Sequence, residues 1–112
     1  MRFTVEHSDN IVIFTLKNSS LSSDISAKLK AELLILCQPN IKAFIFDLSN
    51  VEYVDSSGLG ALLLAHRQLT THSIPIGFAG IQASARSLLS ISHIDELFEF
   101  FDNVEDALSK YE

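Results

Sequence analysis

Residues 54–64 read VDSSGLGALLL, and the organisation of the chain can be worked out from this stretch. It follows an apolar run, Ile41 to Leu48, after a short connection, and it opens a segment with helical spacing of apolar residues. Asp55, Ser56 and Ser57 can each cap a helix, because their oxygens accept hydrogen bonds from the unpaired N–H groups of a first turn. The pattern predicts a strand, a connection and a helix that begins near residue 57.

Two glycines follow these three candidate caps. Gly58 and Gly60 stand where helix stability alone favours Glu and Ala, since an interior glycine costs about 1 kcal/mol relative to alanine. We therefore expect that something needs close access to the start of this helix, and we take a binding partner as the hypothesis. A bare G-x-G without the further glycines of a phosphate-binding loop is weak evidence for a nucleotide.

The remaining periodicity completes the order β-β-α-β-α-β-α-β-α. Strands are predicted at residues 3–7, 11–16, 41–48, 76–79 and 97–101, and helices at about 22–37, 57–70, 83–91 and 104–111. Single helices between strands favour parallel crossovers, and the opening pair of strands predicts an antiparallel hairpin. We predict a single α/β domain over residues 1–112, with a mixed sheet of four to five strands backed by about four helices.

The charge of the chain is unevenly distributed. Seven of the 14 acidic residues and one of the eight basic residues lie after Ile94, so the net charge of −6 belongs to that C-terminal part. No basic face is available, which argues against nucleic acid and anionic membranes as partners. The apolar runs are too short to span a bilayer, and residues 1–6 lack the apolar core of a signal peptide. We expect a cytoplasmic protein without membrane insertion.

The residue patterns of common enzymes are missing. The nucleophile pattern G-x-S-x-G is absent, because Val54 and Asp55 precede the two serines. The four histidines are scattered without an orienting acid at fixed spacing, and we interpret them as surface or half-buried side chains. Cys37 is the only cysteine, which excludes an intrachain disulfide and predicts a buried, inert thiol. We expect no enzyme activity, no metal site and no cofactor.

A serine hydroxyl at a helix start also suits modification. A phosphate there adds about −1.5 to −2 charges, which the helix N–H groups tolerate and which Asp55 repels. Such a change keeps the fold and inverts the local electrostatics, as a binding switch requires. The alternative is that the serines only cap the helix.

Residues 47–60, DLSNVEYVDSSGLG, resemble the signature of the STAS domain, and in particular that of the bacterial anti-sigma factor antagonists. The likeness extends over nearly the whole chain, including the order of elements and the closing residues 98–108. It implies that an anti-sigma factor with serine-kinase activity binds around the second helix and phosphorylates Ser56. It further implies that the phosphorylated protein releases this kinase and that a phosphatase resets the switch. ATP then belongs to the partner and not to this chain.

The resemblance also implies a surface for the partner, formed by the second and third helices and the loop before the first helix. The partner-binding residues expected from it are Ser22, Asp24, Asp55, Ser56, Ser57, Gly58, Leu59 and Gly60. The loop, Asn18 to Ser22, is one residue longer than in the family and has Ser22 where the family has Asp. A weak homodimer is a further expectation.

The alternative function is a STAS subunit that acts as a scaffold, for example bound to the ATPase of a lipid transporter, with no phosphorylation cycle. Retention of residues 55–58, DSSG, favours the switch. The altered loop favours the scaffold.

Overall fold

The computed structural model describes all 112 residues. The strands are β1 (Phe3–Ser8), β2 (Ile11–Leu16), β3 (Ser20–Leu21), β4 (Ala43–Asp47), β5 (Tyr53–Val54), β6 (Ile76–Ala79) and β7 (Glu99–Phe101). The helices are α1 (Ser23–Leu36), α2 (Ser56–Thr70), α3 (Ala83–Ile91) and α4 (Val104–Tyr111), with a 3₁₀ helix at Asp95–Leu97. The predicted mixed α/β fold and its order of helices and main strands are confirmed.

The main sheet has five strands in the order β1-β2-β4-β6-β7. The pair β1–β2 is antiparallel, and the other three pairs are parallel. Asp9 and Asn10 form the tight turn of the hairpin with φ angles of 49° and 67°, and such left-handed conformations match the twist of the two strands. The predicted hairpin and the parallel crossovers are thus both present.

Helices cover the two faces of this sheet unequally. One face carries the phenylalanines of β2, β4 and β6, which pack with apolar residues of α1, α2 and α3 in a core of 23 buried residues. The other face carries a smaller cluster of seven buried residues, to which α4 contributes Ala107 and Tyr111. The middle strands are buried on both faces, which explains why residues 43–46 are apolar at every position.

Glycine at position 77 allows α4 to pack close to the sheet. A Cβ on Gly77 would lie 2.7 Å from the Phe101 ring and 2.9 Å from the Tyr111 hydroxyl oxygen. That hydroxyl donates a hydrogen bond of 2.7 Å to Glu99 Oε1, and Lys110 forms an ion pair with the same carboxylate. The last helix is therefore fixed by packing and by two polar contacts to β7.

The structure differs from the sequence-based prediction at its shortest elements. The strands β3 and β5 were not predicted, because two residues are too few to show a period, and only their mutual pairing makes them strands. The predicted strand 97–101 is shorter, since residues 95–97 form the 3₁₀ helix. The central strand is confined to Ala43–Asp47 rather than 41–48.

Candidate functional site

The helix α2 begins with an aspartate cap. Asp55 has an extended backbone, and its Oδ1 accepts a hydrogen bond of 2.9 Å from the N–H of Gly58. The hydroxyl of Ser57 donates to the same oxygen at 2.6 Å. Of the three candidate caps, Asp55 is therefore the cap. Ser57 does not cap the helix itself, because its hydroxyl donates to the aspartate, and the helix begins at Ser56, one residue before the predicted start.

The same carboxylate also reaches the start of α1. Asp55 Oδ2 accepts a hydrogen bond of 3.3 Å from the N–H of Ser23. The hydrogen bond from Ser57, followed by that from Gly58, lowers the pKa of Asp55, because these donors stabilise its ionised form. One side chain thus holds the first turns of α1 and α2 beside each other.

The loop before α1 is joined to the segment before α2 by the small sheet β3–β5. Ser20 and Leu21 pair in parallel with Tyr53 and Val54. The carbonyl oxygen of Leu21 also accepts a hydrogen bond of 3.2 Å from the N–H of Asp55. The loop whose sequence departs from the family pattern therefore lies directly against the start of α2.

Gly58 is required by this contact within the domain. A Cβ on Gly58 would lie 2.3 Å from the carbonyl oxygen of Leu21 and 2.8 Å from its Cγ, and both residues are buried. Our expectation that Gly58 gives a partner close access is corrected, because the space above this glycine is filled by β3. The close approach is real, but the neighbour is the chain itself.

Gly60 has a different environment. It is half-buried, and the atoms nearest to a Cβ built there are Nζ of Lys30, at 3.7 Å, and Cε of the same side chain, at 3.9 Å. These are ordinary contact distances. Lys30 could not be identified as a neighbour of Gly60 from the sequence, because the only signal was a polar position off the apolar stripe of α1. That signal does not show how α1 packs against α2.

Ser56 lies at the surface between these contacts. It is exposed, and its hydroxyl makes no hydrogen bond to the rest of the protein. Tyr53, 57% exposed, and the half-buried Leu59 lie close to it along the chain. On the α1 side, the Ser22 hydroxyl donates to Asp24 Oδ1 at 2.5 Å and does not cap α1. The predicted partner-binding residues thus come together around the two helix starts, with Gly58 beneath them.

Other candidate groups lie away from this surface. Cys37 is buried, and burial raises the pKa of its thiol to about 12, so the prediction of a buried thiol is confirmed. His66 is half-buried and the other histidines are exposed, as expected. No three metal-binding side chains converge. None of the helices combines the length and hydropathy needed to cross a bilayer. The largest cavity, about 380 Å³, adjoins His66 and Thr70 at the far end of α2.

A family model of the STAS domain matches residues 2–107. The chain belongs to the STAS domain family. A STAS-domain containing protein of Pseudomonas aeruginosa is 34% identical over 58 residues, which are 52% of this chain and 57% of that protein. The matched segment of this STAS domain therefore covers little more than half the length of that curated relative.

Solved STAS structures have the same fold. An anti-sigma-factor antagonist (STAS) domain protein from Planctomyces limnophilus superposes with a TM-score of 0.90 at 17% identity, over 98% of this chain and 97% of that chain. The Bacillus cell fate determinant SpoIIAA in its phosphorylated form gives a TM-score of 0.79 at 18% identity, over 99% and 100% of the two chains. At these identities the likeness concerns the fold. The resemblance noted in residues 47–60 is confirmed at the level of the family.

Proposed function

We propose that this STAS domain is an anti-sigma factor antagonist that binds an anti-sigma factor kinase and is switched off by phosphorylation at Ser56. The observation that carries the proposal is the position of this serine. Asp55, Ser57 and Gly58 are all engaged in contacts within the domain, whereas the hydroxyl of Ser56 is exposed and free. In this proposal the protein acts in the cytoplasm by binding the kinase, and ATP is bound by the kinase and not by this chain.

The surface around Ser56 is suited to a protein partner. It combines the exposed ring of Tyr53, the half-buried Leu59 and Gly60, and the polar groups of Ser22 and Asp24 at the start of α1. Tyrosine is enriched among the residues that contribute most to binding at interfaces. This surface, with α3 beside β5, is the one on which we propose that the kinase binds.

Phosphate on Ser56 changes binding much more than folding. An added dianion that faces a kinase surface matched to a neutral hydroxyl finds no complementary charge on the kinase, and such a mismatch across an interface costs about 2–5 kcal/mol. Since about 1.4 kcal/mol corresponds to a tenfold change, affinity falls by roughly 30-fold to several thousand-fold. The fold is unaffected, because no internal hydrogen bond uses this hydroxyl. A phosphatase then restores the binding form.

The test is phosphate transfer followed by binding. The protein is incubated with an ATP-loaded anti-sigma factor kinase, the modified residue is mapped by mass spectrometry, and both forms are titrated against the kinase. We expect phosphate at Ser56, loss of binding in the modified form, and constitutive binding by Ser56→Ala. Ser57→Ala is the matched control, which still accepts phosphate.

Two outcomes contradict the proposal. Phosphate found only at Ser57 overturns the site assignment. Equal affinity of the modified and unmodified proteins overturns the switch and favours the scaffold function without a phosphorylation cycle.

A further inference from the structure

Lys30 of α1 places its unpaired positive charge beside the face of α2 that carries Ser56 and Gly60. Its ammonium nitrogen lies 3.7 Å from the position that a Cβ on Gly60 would occupy. The side chain is exposed, and Lys30 has no carboxylate within ion-pair distance, since the single ion pair of the domain joins Lys110 and Glu99. The ammonium therefore lies beside α2 at Gly60, at an ordinary contact distance.

The geometry brings this ammonium near Ser56. Ser56 and Gly60 are four residues apart in α2, so they are neighbours on one helix face with about 5–6 Å between their Cβ positions. Helical side chains lean toward the helix N-terminus, and the starts of α1 and α2 lie side by side through the bond from Ser23 to Asp55. The flexible Lys30 side chain therefore lies about one turn from the Ser56 hydroxyl.

We propose that Lys30 binds the phosphate of phosphorylated Ser56 and forms an ion pair between α1 and α2 within the domain. This inference rests on the proposed modification of Ser56. An ammonium donates charge-assisted hydrogen bonds to phosphate oxygens, which offset the repulsion from Asp55 next to the serine.

The other charged groups around Ser56 do not supply this function. Asp24 in the first turn of α1 and Glu52 before β5 are acidic and oppose the phosphate. Arg86 of α3 lies over the Phe100 ring, 4.1 Å from its centre. Phosphorylation thus alters two features of the partner surface together, because it adds a dianion and also draws in the Lys30 ammonium.

The experiment measures the titration of the phosphate in the isolated protein. Phosphoserine is inserted at position 56 by genetic encoding, so no kinase is needed, and its second pKa, about 6 in a free phosphoserine, is followed by phosphorus NMR. Three further proteins carry the same phosphoserine together with Lys30→Gln, Lys30→Arg or Lys28→Gln. Lys28 is the matched control, because it is an exposed lysine two residues away on α1 and therefore faces another direction.

We expect the phosphate pKa to be lower by about 0.2 to 0.7 in the unsubstituted protein than with Lys30→Gln, as for an exposed ion pair. Lys30→Arg restores the lower value, Lys28→Gln leaves it unchanged, and high salt removes the difference. Equal values with and without Lys30, or an equal effect of Lys28→Gln, overturn the inference. Because no kinase takes part, that failure leaves the proposed switch standing, and failure of the switch leaves this measurement valid.

Discussion

Alanine at position 58 should destabilise the domain although alanine favours helices. The added Cβ meets the Leu21 carbonyl oxygen at 2.3 Å and the Leu21 Cγ at 2.8 Å, so the backbone of β3 must move. Overpacking of this kind costs about 1–3 kcal/mol, and the helix propensity of alanine returns at most about 1 kcal/mol. Because the closest contact is with backbone, we place the cost in the upper part of that range and expect a net loss of about 1–2 kcal/mol, or roughly 4–8 °C in Tm for a domain of this size.

Thermal melts of Gly58→Ala and Gly60→Ala measure this difference. Gly60→Ala is the matched control, because its Cβ meets only the flexible end of Lys30, at 3.7 Å, and it should leave Tm unchanged or raise it. Hydrogen exchange gives a local readout, since the N–H of Asp55 donates to the Leu21 carbonyl and should exchange faster in Gly58→Ala. A Tm for Gly58→Ala at or above that of the unsubstituted protein refutes the argument.

Four further substitutions test the polar side chains. Asp55→Ala should lower Tm at pH 7, because the hydrogen bonds in the native state favour the ionised carboxylate. The difference in Tm should shrink as the pH falls below about 3.9, the ordinary pKa of aspartate. A difference in Tm that stays constant to pH 2 contradicts this. Tyr111→Phe should lower the free energy of unfolding in urea by about 0.5–1.5 kcal/mol at any salt concentration. Lys110→Gln, at an exposed ion pair, should lower it by about 0–1 kcal/mol, and by less in high salt. The same salt dependence for both would contradict the view that Tyr111 contributes a hydrogen bond and Lys110 a screened ion pair. Ser56→Ala should change stability by less than about 0.5 kcal/mol, and a larger loss in the thermal melt would show a structural role for the hydroxyl.

The sequence predicted the elements that depend on local signals. The bounds of β6 and α3 agree with the predicted 76–79 and 83–91, because Pro75 and Gly80 punctuate the strand and apolar spacing defines the helix. Ser56 and Ser57 were located at the start of α2 to within one residue. These features involve residues only a few positions apart.

The contacts that the sequence could not predict join segments about 30 residues apart. The pairing of β3 with β5, the packing of Gly58 against Leu21 and the position of Lys30 beside Gly60 all depend on how α1 lies against α2. Gly58 and Gly60 looked alike in sequence, as two glycines in one helix start. The two glycines differ only in their neighbours in the folded domain. Leu21 of β3 occupies the space beside Gly58, whereas the Lys30 side chain lies beside Gly60.

The four residues from Asp55 to Gly58 divide their roles in a way that explains why one serine suits a switch. Asp55 caps α2 and accepts a hydrogen bond from the start of α1, and Ser57 donates a hydrogen bond to the same carboxylate. Gly58 has no side chain and therefore lets β3 pack against α2. A phosphate on Ser57 would have to displace its hydrogen bond to Asp55 and would put two anionic groups in contact. On the exposed Ser56 it lies at the surface, on the side of α2 that faces Lys30, and leaves all three contacts intact. The proposed phosphate can therefore be added at Ser56 and removed again without unfolding the surface on which we propose that a partner binds.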